Sequence, residues 1–162
     1  MYVGAGMEGH TMGNRGFSFI EMLVVFIIVG IVVAMGMPRL RDSLEKSNVR
    51  SAKAGMSTLV AKARAAAVSR GCTATMKFTS GTTGTVSISV CTVAGGGTQI
   101  LGGVDSLAAR YKVTMASSAP SMQFDPRGLS VNYSGMTVRF SNSSGSISDS
   151  VIINPLGKVV RQ

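Results

Sequence analysis

A single charged side chain, that of Glu21, interrupts the 22-residue stretch formed by residues 17–38. Residues 22–37 carry no polar side chain at all. A helix over residues 17–37 would rise about 31 Å, close to the roughly 30 Å hydrocarbon thickness of a bilayer. The stretch therefore predicts a membrane-spanning helix. A carboxylate at mid-bilayer would cost on the order of 2.5–3.5 kcal/mol, so we expect Glu21 to need a compensating partner.

Three interpretations of this segment compete. A plain membrane anchor agrees with the hydropathy alone. A secretory signal peptide would use Arg15 as its charged flank and the small residues around 34–36 as its cleavage site, but the long apolar stretch and Glu21 within it argue against that. The third interpretation is a cleaved leader followed by an assembling helix. It is favoured because Glu21 is the fifth residue after Gly16, and Pro38 is the twenty-second.

This spacing of Gly16, an apolar Phe17, Glu21 and Pro38 resembles the type IV pilin and type II secretion pseudopilin superfamily. The resemblance implies a cytoplasmic leader of residues 1–16 that a prepilin peptidase removes between Gly16 and Phe17, with methylation of the new amine of Phe17. It also implies an α+β fold of the type IV pilin kind. In that fold a long N-terminal helix, membrane-spanning in its first half, packs on a C-terminal antiparallel β domain.

The chemistry of Glu21 agrees with assembly. A carboxylate near a helix N-terminus is favoured by the helix dipole, and the free amine of a neighbouring subunit's Phe17 would neutralise it inside an apolar filament core. We hypothesise that the burial of Glu21 is compensated only on assembly, so that this residue selects correctly staggered neighbours.

Residues 38–70 predict the second, amphipathic half of the helix. Pro38 removes one helical hydrogen bond and is expected to kink or loosen the helix at the membrane boundary without ending it. Apolar residues then recur at spacings of three and four with one jump of eight, at Leu40, Leu44, Ala52, Met56, Leu59, Ala63 and Ala67. The polar face carries Arg39, Arg41, Lys46, Arg50, Lys53, Lys62, Arg64 and Arg70 against Asp42 and Glu45. Gly71 is a stop signal, and the basic face is either solvated or packed against neighbouring subunits.

The remaining residues, 71–162, predict a β-rich globular domain. Residues 72–78 and 85–91 read as a hairpin about a turn at 79–84. If opposing residue numbers sum to 163, Cys72 faces Cys91 within disulfide range. A disulfide would indicate an oxidising compartment, here the periplasm, and the alternative is two unpaired cysteines in a cytosolic sheet. A metal site is not expected, since residues 17–162 lack histidine.

Further strands are predicted at residues 99–104, 111–115, 121–124, 129–133, 137–141, 151–154 and 159–161. Residues 95–97 and 141–150 are predicted loops. Residues 155–157, Pro-Leu-Gly, predict a tight turn between the last two strands.

Two segments narrow the resemblance. Residues 124–128 read Phe-Asp-Pro-Arg-Gly, and residues 151–161 read Val-Ile-Ile-Asn-Pro-Leu-Gly-Lys-Val-Val-Arg. Both are similar to GspH/FimT-type minor pilins and minor pseudopilins. The resemblance implies a subunit of the tip or initiation complex of a type II secretion pseudopilus or a type IV pilus. Its partners would be other pilins, the prepilin peptidase and the inner membrane. The C-terminal domain would lie in the periplasm, although Arg39 and Arg41 oppose this by the positive-inside rule.

Catalysis is not expected, and neither a cofactor nor a small-molecule substrate is. The sole histidine, His10, belongs to the predicted leader, and Asp105, Asp125 and Asp149 belong to no catalytic motif.

The positive charge of the chain suggests an alternative function. Residues 47–162 carry 12 Lys and Arg against three Asp, and such a domain could act as a DNA receptor in DNA uptake. The candidate contacts are Arg110, Lys112, Arg127, Arg139, Lys158 and Arg161. General solubility, or acidic partner subunits, is the simpler explanation and is favoured.

Overall fold

The computed structural model describes residues 17–92, 96–131 and 135–161, without the side chains of Pro38 and Arg161. The predicted leader with Gly16, the first position of the predicted loop 95–97, and the last two positions of the predicted strand 129–133 lie outside the described residues. Contacts divide the chain into one unit that ends at Leu40 and a second that begins at Arg41.

Helix α1 (Phe19–Arg70) begins in the first unit. The carbonyl oxygen of Ser18 accepts hydrogen bonds from the N–H groups of Glu21 and Met22, at 3.0 and 3.2 Å. The helix continues through Pro38, as predicted, and the expected kink stays a prediction. Every residue from 17 to 35 is exposed. Among the described residues, α1 is the one helix that is long and apolar enough to cross a membrane, by a test that signal sequences also pass.

In the second unit, α1 buries one stripe of side chains. Spacings of three and four residues join Val49, Ala52, Met56, Val60, Ala63 and Ala67, all at most 1% exposed. The predicted face was wrong at its start, because Leu40 and Leu44 are each 64% exposed. It also placed Lys53 on the polar side. Lys53 is buried, and its ammonium forms an ion pair 2.7 Å from Asp149 Oδ1.

The helix ends where Gly71 predicts it. The N–H of Gly71 donates to the carbonyl of Val68, and the N–H of Cys72 donates to that of Ala67. This pair of bonds with Gly71 at φ +62° is a Schellman motif, which satisfies carbonyls that the helix leaves free. Glycine suits the position because left-handed backbone costs it no Cβ clash.

Within residues 17–92, 96–131 and 135–161, eight strands form two antiparallel sheets. In chain order they are β1 (Ala74–Thr79), β2 (Thr85–Cys91), β3 (Thr98–Asp105), β4 (Thr114–Ser117), β5 (Ser121–Phe124), β6 (Met136–Ser141), β7 (Ser148–Ile153) and β8 (Val159–Arg161). The first sheet has the order β3-β2-β1-β5 and the second β4-β6-β7-β8. Buried side chains of both sheets, including Met76, Phe124 and Phe140, join the stripe of α1 in one core.

The predicted register of the first hairpin was wrong by one residue. Ala74 lies opposite Val90 and Met76 opposite Ile88, so opposing numbers sum to 164 rather than 163. The even-numbered side chains of both strands are the buried ones, and a slip of one would place them opposite positions that are partly or fully exposed. The disulfide Cys72–Cys91 is nevertheless present, with the two Cα atoms 6.3 Å apart. Cys72 precedes β1, so the ladder does not hold it to the register of the strand.

A short helix, α2 (Leu107–Tyr111), replaces the start of the predicted strand 111–115. Leu107 and Tyr111 pack over Gly55 of α1, where a Cβ atom would lie 3.1 Å from Leu107 Cδ2. Lys112 ends α2 with left-handed backbone, φ +52°, and β4 follows at residue 114. Other boundaries differ too. The described part of the predicted strand 129–133 is not a strand but contains an isolated bridge between Ser130 and Phe124, and β7 begins inside the predicted loop 141–150.

Candidate functional site

Glu21 lies in the first turn of α1 with its side chain exposed. Ser18 precedes the helix, and Glu21 follows it by three positions, which is the spacing of a capping box. No side-chain partner of Glu21 is present among the described residues. The apolar side chains around it, over residues 17–35, are exposed as well. An exposed apolar surface of this extent needs lipid or other protein chains to cover it. The carboxylate of Glu21 therefore lies on a surface that lipid or another protein chain is expected to cover.

The segment Phe-Asp-Pro-Arg-Gly forms a turn that its own aspartate closes. Asp125 Oδ1 accepts hydrogen bonds from the N–H groups of Arg127 and Leu129, at 2.9 and 2.8 Å. The N–H of Gly128 donates to the Asp125 carbonyl at 2.9 Å, and Gly128 has φ +78°. Proline at the second position presets the backbone angle that such a turn requires. Arg127 is exposed at its tip.

The predicted turn between the last two strands is confirmed. The N–H of Gly157 donates to the Asn154 carbonyl at 2.8 Å, and the N–H of Lys158 donates to Asn154 Oδ1, also at 2.8 Å. Gly157 has φ +70°, and Lys158 is exposed.

These two turns touch each other, and we name residues 125–128 and 154–158 the paired turns. The N–H of Ser130 donates to the Pro155 carbonyl at 3.2 Å. Arg64 of α1 donates its Nε–H to the Gly128 carbonyl at 2.9 Å. A Cβ atom at Gly157 would lie only 2.8 Å from that same carbonyl oxygen. Helix α1 therefore contacts both turns through Arg64, and the exposed side chains of Arg127 and Lys158 lie on these adjoining turns.

We expect Gly157→Ala to lower the free energy of unfolding by about 2–4 kcal/mol, because left-handed strain adds to a backbone clash that cannot relax easily. Gly145→Ala is the matched control. Gly145 also has a left-handed φ, +73°, but a Cβ there meets nothing within 4 Å. It should cost only about 1–2 kcal/mol. Urea unfolding of both variants measures the difference, and equal losses would contradict the close packing of the turns.

The other predicted basic contacts are dispersed. Arg110 lies in α2, where its Nη2 is 3.0 Å from Asp105 Oδ1. Lys112 follows it with an exposed side chain, and Arg139 is exposed on β6 opposite Ser150. Arg161 pairs with Val151 in the ladder. Of the six predicted contacts, the structure thus places Arg127 and Lys158 on turns that touch each other. It adds Arg64, which the sequence did not indicate as part of this group.

Two partly buried polar pairs were not predicted from the sequence. Besides Lys53 with Asp149, the side chain of Asn142 is 4% exposed, and its Nδ2 donates to Glu45 Oε2 at 2.6 Å. Each pair joins α1 to a strand or loop almost a hundred positions away. Among the residues that the structure describes, no group of three or more His, Cys, Asp or Glu could hold a metal ion.

The family model described as type II transport protein GspH matches residues 54–157, a range that contains the first of the paired turns and all but the last position of the second. The chain belongs to the GspH family. A second model, the prokaryotic N-terminal methylation motif, matches residues 11–37, the part that carries Gly16, Phe17 and Glu21. No curated protein sequence matches the chain.

Solved structures support the fold of this GspH family member. Crystal structures of the type IV minor pilin FimU of Pseudomonas aeruginosa resemble it in two crystal forms, at 16% identity. One superimposes with a TM-score of 0.57 over 73% of this chain and 90% of FimU, the other with 0.53 over 70% and 91%. The predicted type IV pilin-like α+β fold is confirmed, with a long N-terminal helix followed by antiparallel sheets.

Proposed function

We propose that this chain is a minor pilin or minor pseudopilin of the tip or initiation complex of a type II secretion pseudopilus or a type IV pilus. One observation carries the proposal. An exposed apolar helix bears Glu21 at the fifth position after Gly16, inside the matched methylation motif. Because the apolar side chains of residues 17–35 are all exposed, the natural surroundings of this part of α1 are first the inner membrane and then a core of similar helices.

In this proposal a prepilin peptidase cleaves between Gly16 and Phe17 and methylates the amine of Phe17. Residues 17–37 anchor the subunit in the bacterial inner membrane in a single pass. The domain that follows lies in the periplasm, an oxidising compartment in which the Cys72–Cys91 bond is stable. On assembly the amine of Phe17 in one subunit neutralises Glu21 of its neighbour.

Mass spectrometry of the protein isolated from its host's envelope tests this maturation. We expect the N-terminal peptide to begin at Phe17 and to carry the mass of one added methyl group. A mature chain that begins at Met1 would contradict the proposal, and so would one that begins at Met37 or beyond. The second outcome would support the signal-peptide interpretation.

DNA binding at the paired turns is a second candidate function. The observation that favours it is the contact between the turns of Arg127 and Lys158, with Arg64 behind them. Two exposed cations on adjoining loops suit a phosphate backbone, and residues 47–162 carry a surplus of nine positive charges.

We expect Arg127→Glu with Lys158→Glu to weaken binding of duplex DNA to residues 41–162 by about tenfold or more near 50 mM salt, where phosphate contacts are strongest. The salt dependence of affinity should also become shallower. Arg139→Glu is the control, because it reverses a single charge away from the paired turns. Arg139 lies about 10 Å along β6 from Met136, the residue of that strand that pairs with Ile153 just before the second turn. Fluorescence anisotropy measures each affinity. Undetectable binding by the unaltered domain removes this candidate.

A further inference from the structure

Asp42 has no partner among the described residues, and in this it resembles Glu21. Residues 17–162 contain six carboxylates. Four of them are engaged within the chain: Glu45 with Asn142, Asp105 with Arg110, Asp125 with its own turn, and Asp149 with Lys53. Asp42 is exposed on α1.

Positive charge is in excess a few positions further along the same helix. Lys46 and Arg50 are exposed beside two adjoining hollows of about 230 and 300 Å³ between α1 and β7. Both hollows are lined by Arg50 and Asp149, and the smaller also by Lys46. Asp149 is already bound to Lys53 at 2.7 Å. The side of the hollows near Lys46 and Arg50 therefore offers charge and room to an incoming carboxylate.

We propose that Asp42 of one copy of this chain binds between Lys46 and Arg50 of a second copy that lies parallel to it. The inference rests on the proposed function, since parallel orientation follows from both copies being anchored by residues 17–37. The two copies are displaced by about six residues, roughly 9 Å along a helix, which lies midway between alignment of Asp42 with Lys46 and alignment with Arg50.

The displacement follows from charge. Copies aligned without displacement would place Asp42 beside Asp42 and Lys46 beside Lys46, and like charges repel. Shifting one copy by about six positions brings Asp42 between two cations. Within one copy, Asp42 and Lys46 are four positions apart, yet the structure shows no ion pair between them.

A charge exchange between two differently tagged full-length copies tests the contact. Both copies are expressed in the host, extracted in detergent, and purified through one tag while the other is quantified. We expect Asp42→Lys in both copies to reduce co-purification about fivefold or more, because both ends of each contact become positive. Lys46→Asp with Arg50→Asp in both copies should reduce it equally. One copy of each kind should restore it to within about twofold of the unaltered protein.

The mixed pair decides the question, because an ion pair within one helix would stay broken in both copies. No recovery in the mixed pair overturns the proposal, and so does an absence of association between unaltered copies. A loss with the Lys46 and Arg50 changes but not with Asp42→Lys would identify another anion as the occupant and overturn it too. Lys77→Asp in both copies, on the exposed face of β1, should change nothing.

The same preparations separate this inference from the proposed function. The N-terminus of each variant is read by mass spectrometry, and maturation at Phe17 does not depend on Asp42. A methylated Phe17 together with failed charge exchange rejects the docking contact alone. An N-terminus at Met1 rejects the proposed function, whatever the co-purification result.

Discussion

Replacing Glu21 with alanine is expected to reduce incorporation of the protein into purified filaments by about tenfold or more, while insertion into the membrane is maintained. Tenfold corresponds to about 1.4 kcal/mol, which is less than the cost of leaving a charged amine unpaired in apolar surroundings. Removing the carboxylate also makes residues 17–37 wholly uncharged, so the variant should insert at least as well. Quantitative immunoblots of sheared filaments and of membranes measure the ratio.

Three variants separate assembly from helix capping. Glu21→Gln keeps the shape of the side chain without its charge and should behave like the alanine variant, whereas Glu21→Asp should keep part of the incorporation. Ser18→Ala removes the hydroxyl that precedes α1 and keeps the carboxylate, at a cost of about 0.5–2 kcal/mol in helix stability. Normal incorporation of Glu21→Ala would reject the pairing. An equal loss in Ser18→Ala would make Glu21 a capping residue.

Local sequence signals predicted the parts of the fold that local physics decides. The apolar length of residues 17–37 predicts the first part of α1, and Gly71 predicts its end because a left-handed residue is needed there. Pro155 and Gly157 predict the last turn because proline restricts the backbone angle φ and glycine allows left-handed backbone. Short-range geometry is encoded within a few residues, so no knowledge of the rest of the chain is needed.

The cysteine pair shows how a correct contact followed from a wrong register. Counting symmetrically about the predicted turn gave a sum of 163, whereas burial of Ala74, Met76 and Phe78 against Val86 and Val90 requires an even sum. The alternation of buried positions carried that information. Cys72 reaches Cys91 only because it lies before the ladder begins.

Contacts between distant segments could not be predicted. The sequence places Lys53 with the other cations of a basic helix face, whereas the structure buries it in an ion pair with Asp149, 96 positions away. The contact of Arg64 with Gly128 likewise depends on how two sheets close against α1. Helix α2 is too short for a periodic signal, although Ser106 followed by Leu-Ala-Ala agrees with a helix start.

Replacing both cysteines with serine is expected to lower the free energy of unfolding of residues 41–162 by about 3 kcal/mol, and the melting temperature by roughly 10 °C. The bond joins positions 19 residues apart, and closing a loop of that size restricts the unfolded chain. It also fastens the end of α1 to the end of β2. Circular dichroism during thermal unfolding measures the change.

Arg70→Ala is the matched comparison, because Arg70 Nη1 donates to the Cys91 carbonyl at 2.9 Å across the same junction. Its loss should cost only about 1 kcal/mol while the covalent link remains. Reduction of the unaltered domain should reproduce the stability of the double serine variant, since both open the same loop. If reduction leaves the melting temperature unchanged, the restriction of the unfolded chain by this bond is not what stabilises the domain. The Schellman end of α1 and the contact of Arg70 with Cys91 would then be the features that hold the helix to the first sheet.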